Sequence, residues 1–149
     1  DAAHATPRVA GLGEFFHYRW PDTERSLKAV TETATPDRFD GYLLEFRNPV
    51  TDGPTMPTIQ CALSLLPPGK ETEAHRHTST VIYHIFRGRG SSFVGDERFD
   101  WEEGDSFVVP LWYPHRHLNR AAAEAILFSM SDAPVLKALD LYREEAAGL

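Results

Sequence analysis

Residues 69–88 read "GKETEAHRHTSTVIYHIFRG", from Gly69 to Gly88. Two histidines, His75 and His77, stand two apart, and an apolar run follows them. On a strand, side chains at i and i+2 share a face. His75 and His77 would then project together, with Arg76 on the opposite face. The same alternation puts Val81, Tyr83 and Ile85 on one face and His84 on the other. Two imidazoles converging on one point is what a metal ion needs from neighbouring residues. A lone H-x-H is nevertheless a weak signal, more often accidental or structural than functional, so its surroundings decide.

Working outward, Ile59 to Met130 is a succession of short apolar runs: "IQCALSLL", "TVIYHIF", "SSFV", "RFDW", "SFVVP" and "AILFSM". The turn signals between them are "PPGK", "GRG", "GDE" and "EEGD". Strands at this spacing predict an all-β sandwich or barrel. We read "GRG" as a hairpin feature. Glu102, Glu103 and Asp105 fall in a turn and are expected to be solvated. Upstream, "WPDTERSLKAV" predicts a helix capped by Asp22, with Trp20, Leu27 and Val30 on one face. After "SDAP" a second helix is expected, with Asp132 as cap and Val135, Leu139 and Tyr142 at i, i+4 and i+7. Residues 1–14 read as a mobile lead-in and 15–149 as one domain with no internal linker.

The bulk properties exclude several classes. The 149 residues carry a formal charge of −7 and no basic stripe, which opposes binding to phosphate backbones, so nucleic acid is not an expected partner. No apolar run approaches the roughly 20 residues that span a bilayer. The N-terminal "DAAHATPRVAG" has neither the basic nor the apolar region of a signal peptide. The only cysteine, Cys61, cannot form an intramolecular disulfide and suits a reducing cytoplasm. Its place in "TIQCALSLL" suggests a small buried strand residue.

A third ligand must come from elsewhere, and "GDSFVVPLWYPHRHLN" offers His115, with His117 two residues on. The two histidine segments together resemble the cupin superfamily. Its first motif is Gly, five residues, His-x-His, three or four residues, Glu, six residues, Gly. Here Gly69, His75, His77 and Gly88 fit, and Val81 stands in place of the Glu. Its second motif is Gly, five residues, Pro-x-Gly, two residues, His, three residues, Asn. Here Gly104, Pro110, His115 and Asn119 fit, and Trp112 replaces the middle Gly. The resemblance implies a double-stranded β-helix (jelly-roll) barrel with an N-terminal and a C-terminal flanking helix. It also implies an inward set of His75, His77 and His115.

With Val81 in the glutamate position, the expected ligand set is three neutral imidazoles, which suits Fe, Zn, Cu and Ni. Three protein ligands leave coordination positions open. An ion that keeps its full charge favours an anionic, chelating substrate. Fe(II) with O2 is the expected chemistry, and Zn(II) in a cyclase or isomerase is the alternative.

The segments "HRHTSTVIYH", "FDWEEGDSFVVPLWYPHRH" and "ILFSMSDAPVLKALDLYREEA" further resemble the gentisate 1,2-dioxygenase family, with its salicylate and 1-hydroxy-2-naphthoate relatives. The likeness runs from Phe15 to Ala147. It implies an Fe(II)-dependent, extradiol-type cleavage of a small aromatic acid by O2. Family members are usually two-cupin chains more than twice as long. This sequence is similar to their C-terminal cupin, whereas their established iron site lies in the N-terminal one. A stand-alone enzyme, a piece of a longer one and a non-catalytic partner domain all remain open at this point. Substrate contacts are expected from Tyr83, Trp112, His117 and Asn119, with His117 also a possible fourth ligand. A substrate carboxylate calls for a cation, for which Arg87, Arg89, Arg116 and Arg120 are the candidates. Exposed strand edges predict a homodimer or larger homo-oligomer.

Overall fold

The computed structural model describes residues 8–9 and 16–148. In chain order the elements are β1 (Arg8–Val9), α1 (Trp20–Thr33), β2 (Tyr42–Phe46), β3 (Gln60–Leu66), β4 (His75–His77), β5 (Val81–Arg87), β6 (Arg89–Val94), β7 (Glu97–Glu102), β8 (Ser106–Val109), β9 (His115–Asn119), β10 (Ala125–Ser131), α2 (Ala133–Ala138) and β11 (Glu144–Ala146). They form two sheets, one ordered β1-β2-β3-β10-β5-β8 and the other β11-β4-β9-β6-β7. Apart from the parallel β1–β2 pair, every pairing is antiparallel. This is the expected all-β jelly roll. No described helix is long and apolar enough to cross a membrane.

The two sheets close on one apolar core. Leu66, Val81, Tyr83, Ile85, Val109, Ala125 and Leu127 come from the first sheet, and Val94 and Trp101 from the second. In β5 the burial alternates strictly, with Val81, Tyr83 and Ile85 inside and Ile82, His84 and Phe86 outside. Strand β3 is buried on both faces. Leu66 joins the inter-sheet core, while Leu63 and Leu65 meet Leu27 and Val30 of α1 on the other side. Each such side chain contributes about 1.5–3 kcal/mol by leaving water. That burial is why an isolated amphipathic helix is retained against the sheet.

Several local readings are corrected. Helix α1 is entered from Arg19, whose backbone is extended, with Pro21 in the first turn; Asp22 lies inside the helix and bonds Arg25 instead of capping. Proline is pre-set for that first turn, where its missing N–H costs nothing. The "GRG" segment is no hairpin. Gly88 alone joins β5 of one sheet to β6 of the other. It adopts φ +94°, and a Cβ there would sit 2.9 Å from Ala125 Cα. The second helix stops at Ala138, one residue short of Leu139. Asp140 takes φ 56° and turns the chain, after which β11 pairs with the free edge of β4. Pairing that open edge satisfies more backbone groups than another helical turn would. Asp132 makes no side-chain cap; its Oδ1 accepts the Thr80 N–H across the fold. Of the proposed lead-in, residues 1–7 and 10–14 lie outside the described residues. Arg8–Val9, also within it, pair in parallel with Glu45 and Phe46.

Candidate metal centre

The short strand β4 carries His75 and His77 inward and Arg76 outward, and β9 carries His115, His117 and Asn119 inward. His75 is paired directly with His115 across the two strands. That register places two rings side by side, tilted by 49°, and the i, i+2 rule adds the third. Ring centroids are 4.4 Å apart for His75–His115, 4.8 Å for His77–His115 and 5.2 Å for His75–His77. One ligand atom from each of the three lies within 4.8 Å of the others. Phe39 stacks on His75 at 4.4 Å and 11°, holding its ring plane.

Hydrogen bonds decide which nitrogen faces inward. His77 Nδ1 donates to the Ser79 carbonyl at 2.8 Å, and His115 Nδ1 donates to the Tyr113 carbonyl at 3.0 Å. A carbonyl can only accept, so each ring carries its proton on Nδ1 and a lone pair on Nε2. His75 Nδ1 lies 2.8 Å from Glu144 Oε1, which imposes the same tautomer. The Nε2 atoms of His75 and His115 are buried with no hydrogen-bond partner. An unsatisfied buried acceptor costs about 1–3 kcal/mol. Two of them, aimed together, fit a cation binding between them. Burial, then the neighbouring His117 and His75, pulls the His115 pKa down to about 2. Burial, then His75, lowers His77 also. Neutral imidazole is the ligating form, so these rings are ready to bind a metal at neutral pH.

His117 belongs to a different network. Trp101 Nε1–H donates to Ser92 Oγ at 2.9 Å, and Ser92 Oγ is hydrogen-bonded to His117 Nδ1 at 2.7 Å. Its Nε2 is buried without a hydrogen-bond partner, as are those of His75 and His115. Its ring sits behind His115, packed on Tyr83 at 4.8 Å and Phe107 at 6.0 Å. Asn119, fully buried, spends its side chain on the backbone. Its Nδ2 donates toward the carbonyls of Leu66, Pro67 and Ala123, and its Oδ1 accepts from the Ala121 N–H. Trp112 adopts φ 63°, a conformation that favours glycine. Its N–H donates to the His77 carbonyl at 2.7 Å, and its ring lies 4.7 Å under the Arg76 guanidinium. The structure thus brings His75, His77 and His115 together. It places Tyr83 on the adjoining cavity wall, and Trp112, His117 and Asn119 elsewhere.

That cavity, about 450 Å³, opens beside His75 and His77. Val81 lines it, so the position where the motif has glutamate does face the site. Its remaining walls include Gln60, Ser79, Ser129, Ser131 and Tyr142. The cations on it are Arg47 and Lys137, neither of them singled out by sequence. Arg47 is paired with Glu45 at 2.7 Å, but its Nε is buried without a partner. Arg87 instead faces Glu24 and Glu124, and Arg116 pairs with Glu71 and stacks on Phe93. Arg89 and Arg120 line a separate cavity with Asp100 and Trp101. Asp40 lines the histidine cavity as well, and burial pushes its carboxyl up to about 6. Asp40, Arg47 and Glu144 carry no local motif; only the closing of the two sheets assembles them.

Comparison with known proteins agrees with this geometry. The cupin domain family matches residues 62–131. The chain is 42% identical over 130 residues to 5-aminosalicylate 1,2-dioxygenase of a Comamonas species, covering 87% of the chain and 34% of that protein. It is 37% identical over 130 residues to gentisate 1,2-dioxygenase of a Haloferax species, covering 87% and 35%. The solved salicylate 1,2-dioxygenase of Pseudoaminobacter salicylatoxidans, as its gentisate adduct, superposes with a TM-score of 0.78 at 32% identity, covering 89% of the chain and 37% of that one. The chain spans about a third of the length of these curated relatives. On sequence and on fold alike, it is similar to the gentisate and salicylate ring-cleaving dioxygenases, and the stretch that matches the cupin domain holds all three histidines.

Proposed function

We propose that this protein is an Fe(II)-dependent dioxygenase that opens the ring of a hydroxylated aromatic acid with O2. The observation that carries this reading is the set of three imidazoles with inward Nε2 lone pairs, two of which, His75 and His77, border a cavity lined by two cationic side chains. His75, His77 and His115 would hold the metal. When bound, Fe(II) supplies Lewis acidity and redox chemistry toward O2. Relatives whose names specify 5-aminosalicylate, gentisate and salicylate suggest the substrate class. In the overall reaction the bond between the hydroxylated and the carboxylated ring carbons breaks. Both atoms of O2 remain in the product, so no external reductant is consumed.

The chain's own residues supply binding and proton handling. Arg47 and Lys137 are the cations available to a substrate carboxylate, and Arg47 Nε is still free to donate. Tyr83, whose burial pushes its pKa well above the usual value, stays a neutral phenol and a hydrogen-bond donor. Asp40, poised near pH 6, is suited to accept the proton of the substrate hydroxyl. Val81, Leu43 and Ala62 give the ring an apolar wall that excludes water.

A homodimer belongs to the same reading. β8 is an edge strand, and Ile82, Phe86, Val108 and Met130 are exposed on its sheet. The half-buried single thiol of Cys61 suits a cytoplasmic setting.

The test is O2 uptake by iron-loaded protein with gentisate, salicylate and 5-aminosalicylate, beside His115→Ala. Uptake with at least one acid, abolished in the variant, is expected. No uptake with any of them from fully loaded protein would overturn the proposal.

A further inference from the structure

The geometry points to Glu144 as the positioning residue of the metal centre: carried in by the C-terminal strand, it supplies the negative charge that Val81 cannot. This rests on the metal-centre reading above. In the resembling motif a glutamate occupies the Val81 position, and here that position is apolar. The nearest replacement comes from the far end of the chain. β11 lies along β4 with Glu144 opposite His77 and Ala146 opposite His75. Glu144 Oε1 lies 2.8 Å from His75 Nδ1, and its Oε2 accepts from the Tyr142 hydroxyl at 3.1 Å. Both carboxylate oxygens are therefore fixed.

A carboxylate behind a ligating imidazole does two things. It locks the tautomer that presents Nε2, and it raises the electron density that Nε2 offers to a cation. His75 needs this more than its neighbours do. His77 and His115 are oriented by backbone carbonyls that come with the fold, whereas His75 depends on a side chain 69 residues away. The bond to His75 also holds the Glu144 carboxyl below the usual carboxylate range.

The segment carrying Glu144 is anchored independently of it. Thr78 N–H donates to the Arg143 carbonyl, Arg143 N–H to Thr78 Oγ1 and Ala147 N–H to the Ala74 carbonyl, and Arg76 pairs with Glu145. Glu144 and Glu145 are thus neighbours on one strand, one facing a ligand and the other facing outward. That pairing provides the control.

The experiment measures the dissociation constant for Co(II) alone, followed by its visible absorption, in stripped wild-type protein and in Glu144→Gln, Glu145→Gln and His115→Ala. Glu144→Gln should weaken binding about 10- to 100-fold and shift the absorption bands, and Glu145→Gln should stay within about twofold of wild type. Urea midpoints of the metal-free variants should match, since glutamine keeps a hydrogen-bond acceptor for His75. Equal affinity in Glu144→Gln and wild type would overturn the inference while leaving the metal centre intact. Equal weakening in both glutamine variants would overturn it in favour of strand docking. Wild-type protein that binds Co(II) no better than His115→Ala would overturn the metal centre and the inference together.

Discussion

Acid should destabilise the metal-free protein well above the carboxylate range, because the fold keeps His77, His115 and the neighbouring His117 neutral. Burial pulls His115 down to about 2 and His117 to about 3, against 6.5 for the unfolded rings. A histidine with a depressed folded pKa binds protons preferentially in the unfolded chain. Its contribution is therefore present above pH 6.5 and is lost as the pH falls below that value. Going from pH 7 to about pH 5, each of these two rings withdraws about 2 kcal/mol. His77 shifts in the same direction and adds to the loss. Asp40 opposes it. Its folded pKa of about 6 lies above 3.8, so protonation favours the folded state in this interval. That returns about 1 kcal/mol. Glu144, lowered from 4.5, takes effect only below the interval. The net expectation is a loss of about 2–3 kcal/mol. Urea unfolding at both pH values with a chelator present measures it directly. His117→Gln, with no titratable ring, should lose about 2 kcal/mol less over the same interval. Equal stability of the wild-type protein at the two pH values would refute the argument that these rings are buried neutral.

Further outcomes follow from individual contacts. Arg47→Ala should raise KM for an aromatic acid about 10- to 100-fold, the loss of one charged hydrogen bond, while leaving inhibition by the corresponding phenol unchanged. Steady-state kinetics with both compounds checks this. Asn119→Ala should lower stability by about 2–4 kcal/mol, since three carbonyls lose their donor, with Co(II) affinity unaltered. Urea titration and metal titration separate the two effects. Gly88→Ala should destabilise by at least about 2 kcal/mol, because the new methyl meets Ala125 at 2.9 Å in a left-handed conformation. Its thermal midpoint gives the measurement.

Much of the architecture was legible because it is written in local periodicity. The strict alternation of β5 and the paired histidines of β4 follow from strand geometry alone, and the structure places both as expected. Where the reading failed, a long-range partner outweighed a local preference. Val135, Leu139 and Tyr142 have helical spacing, yet the chain leaves the helix to pair with β4. "GRG" has the composition of a hairpin, yet Gly88 bridges two sheets. Asn119 was expected at the edge of the site, but its four hydrogen-bonding contacts tie down the backbone around Leu66 and Ala121.

Strand spacing in the sequence pointed to a β fold and to the His75–His77 pair, because residues two apart share a face, and the resemblance to the cupin motifs added His115. Tertiary structure alone decided what surrounds them. Asp40, Arg47 and Glu144 stand 35, 28 and 69 positions from His75, and no periodicity links them. They meet because two sheets exclude water from a common core, and burial then sets the charge states that the site depends on.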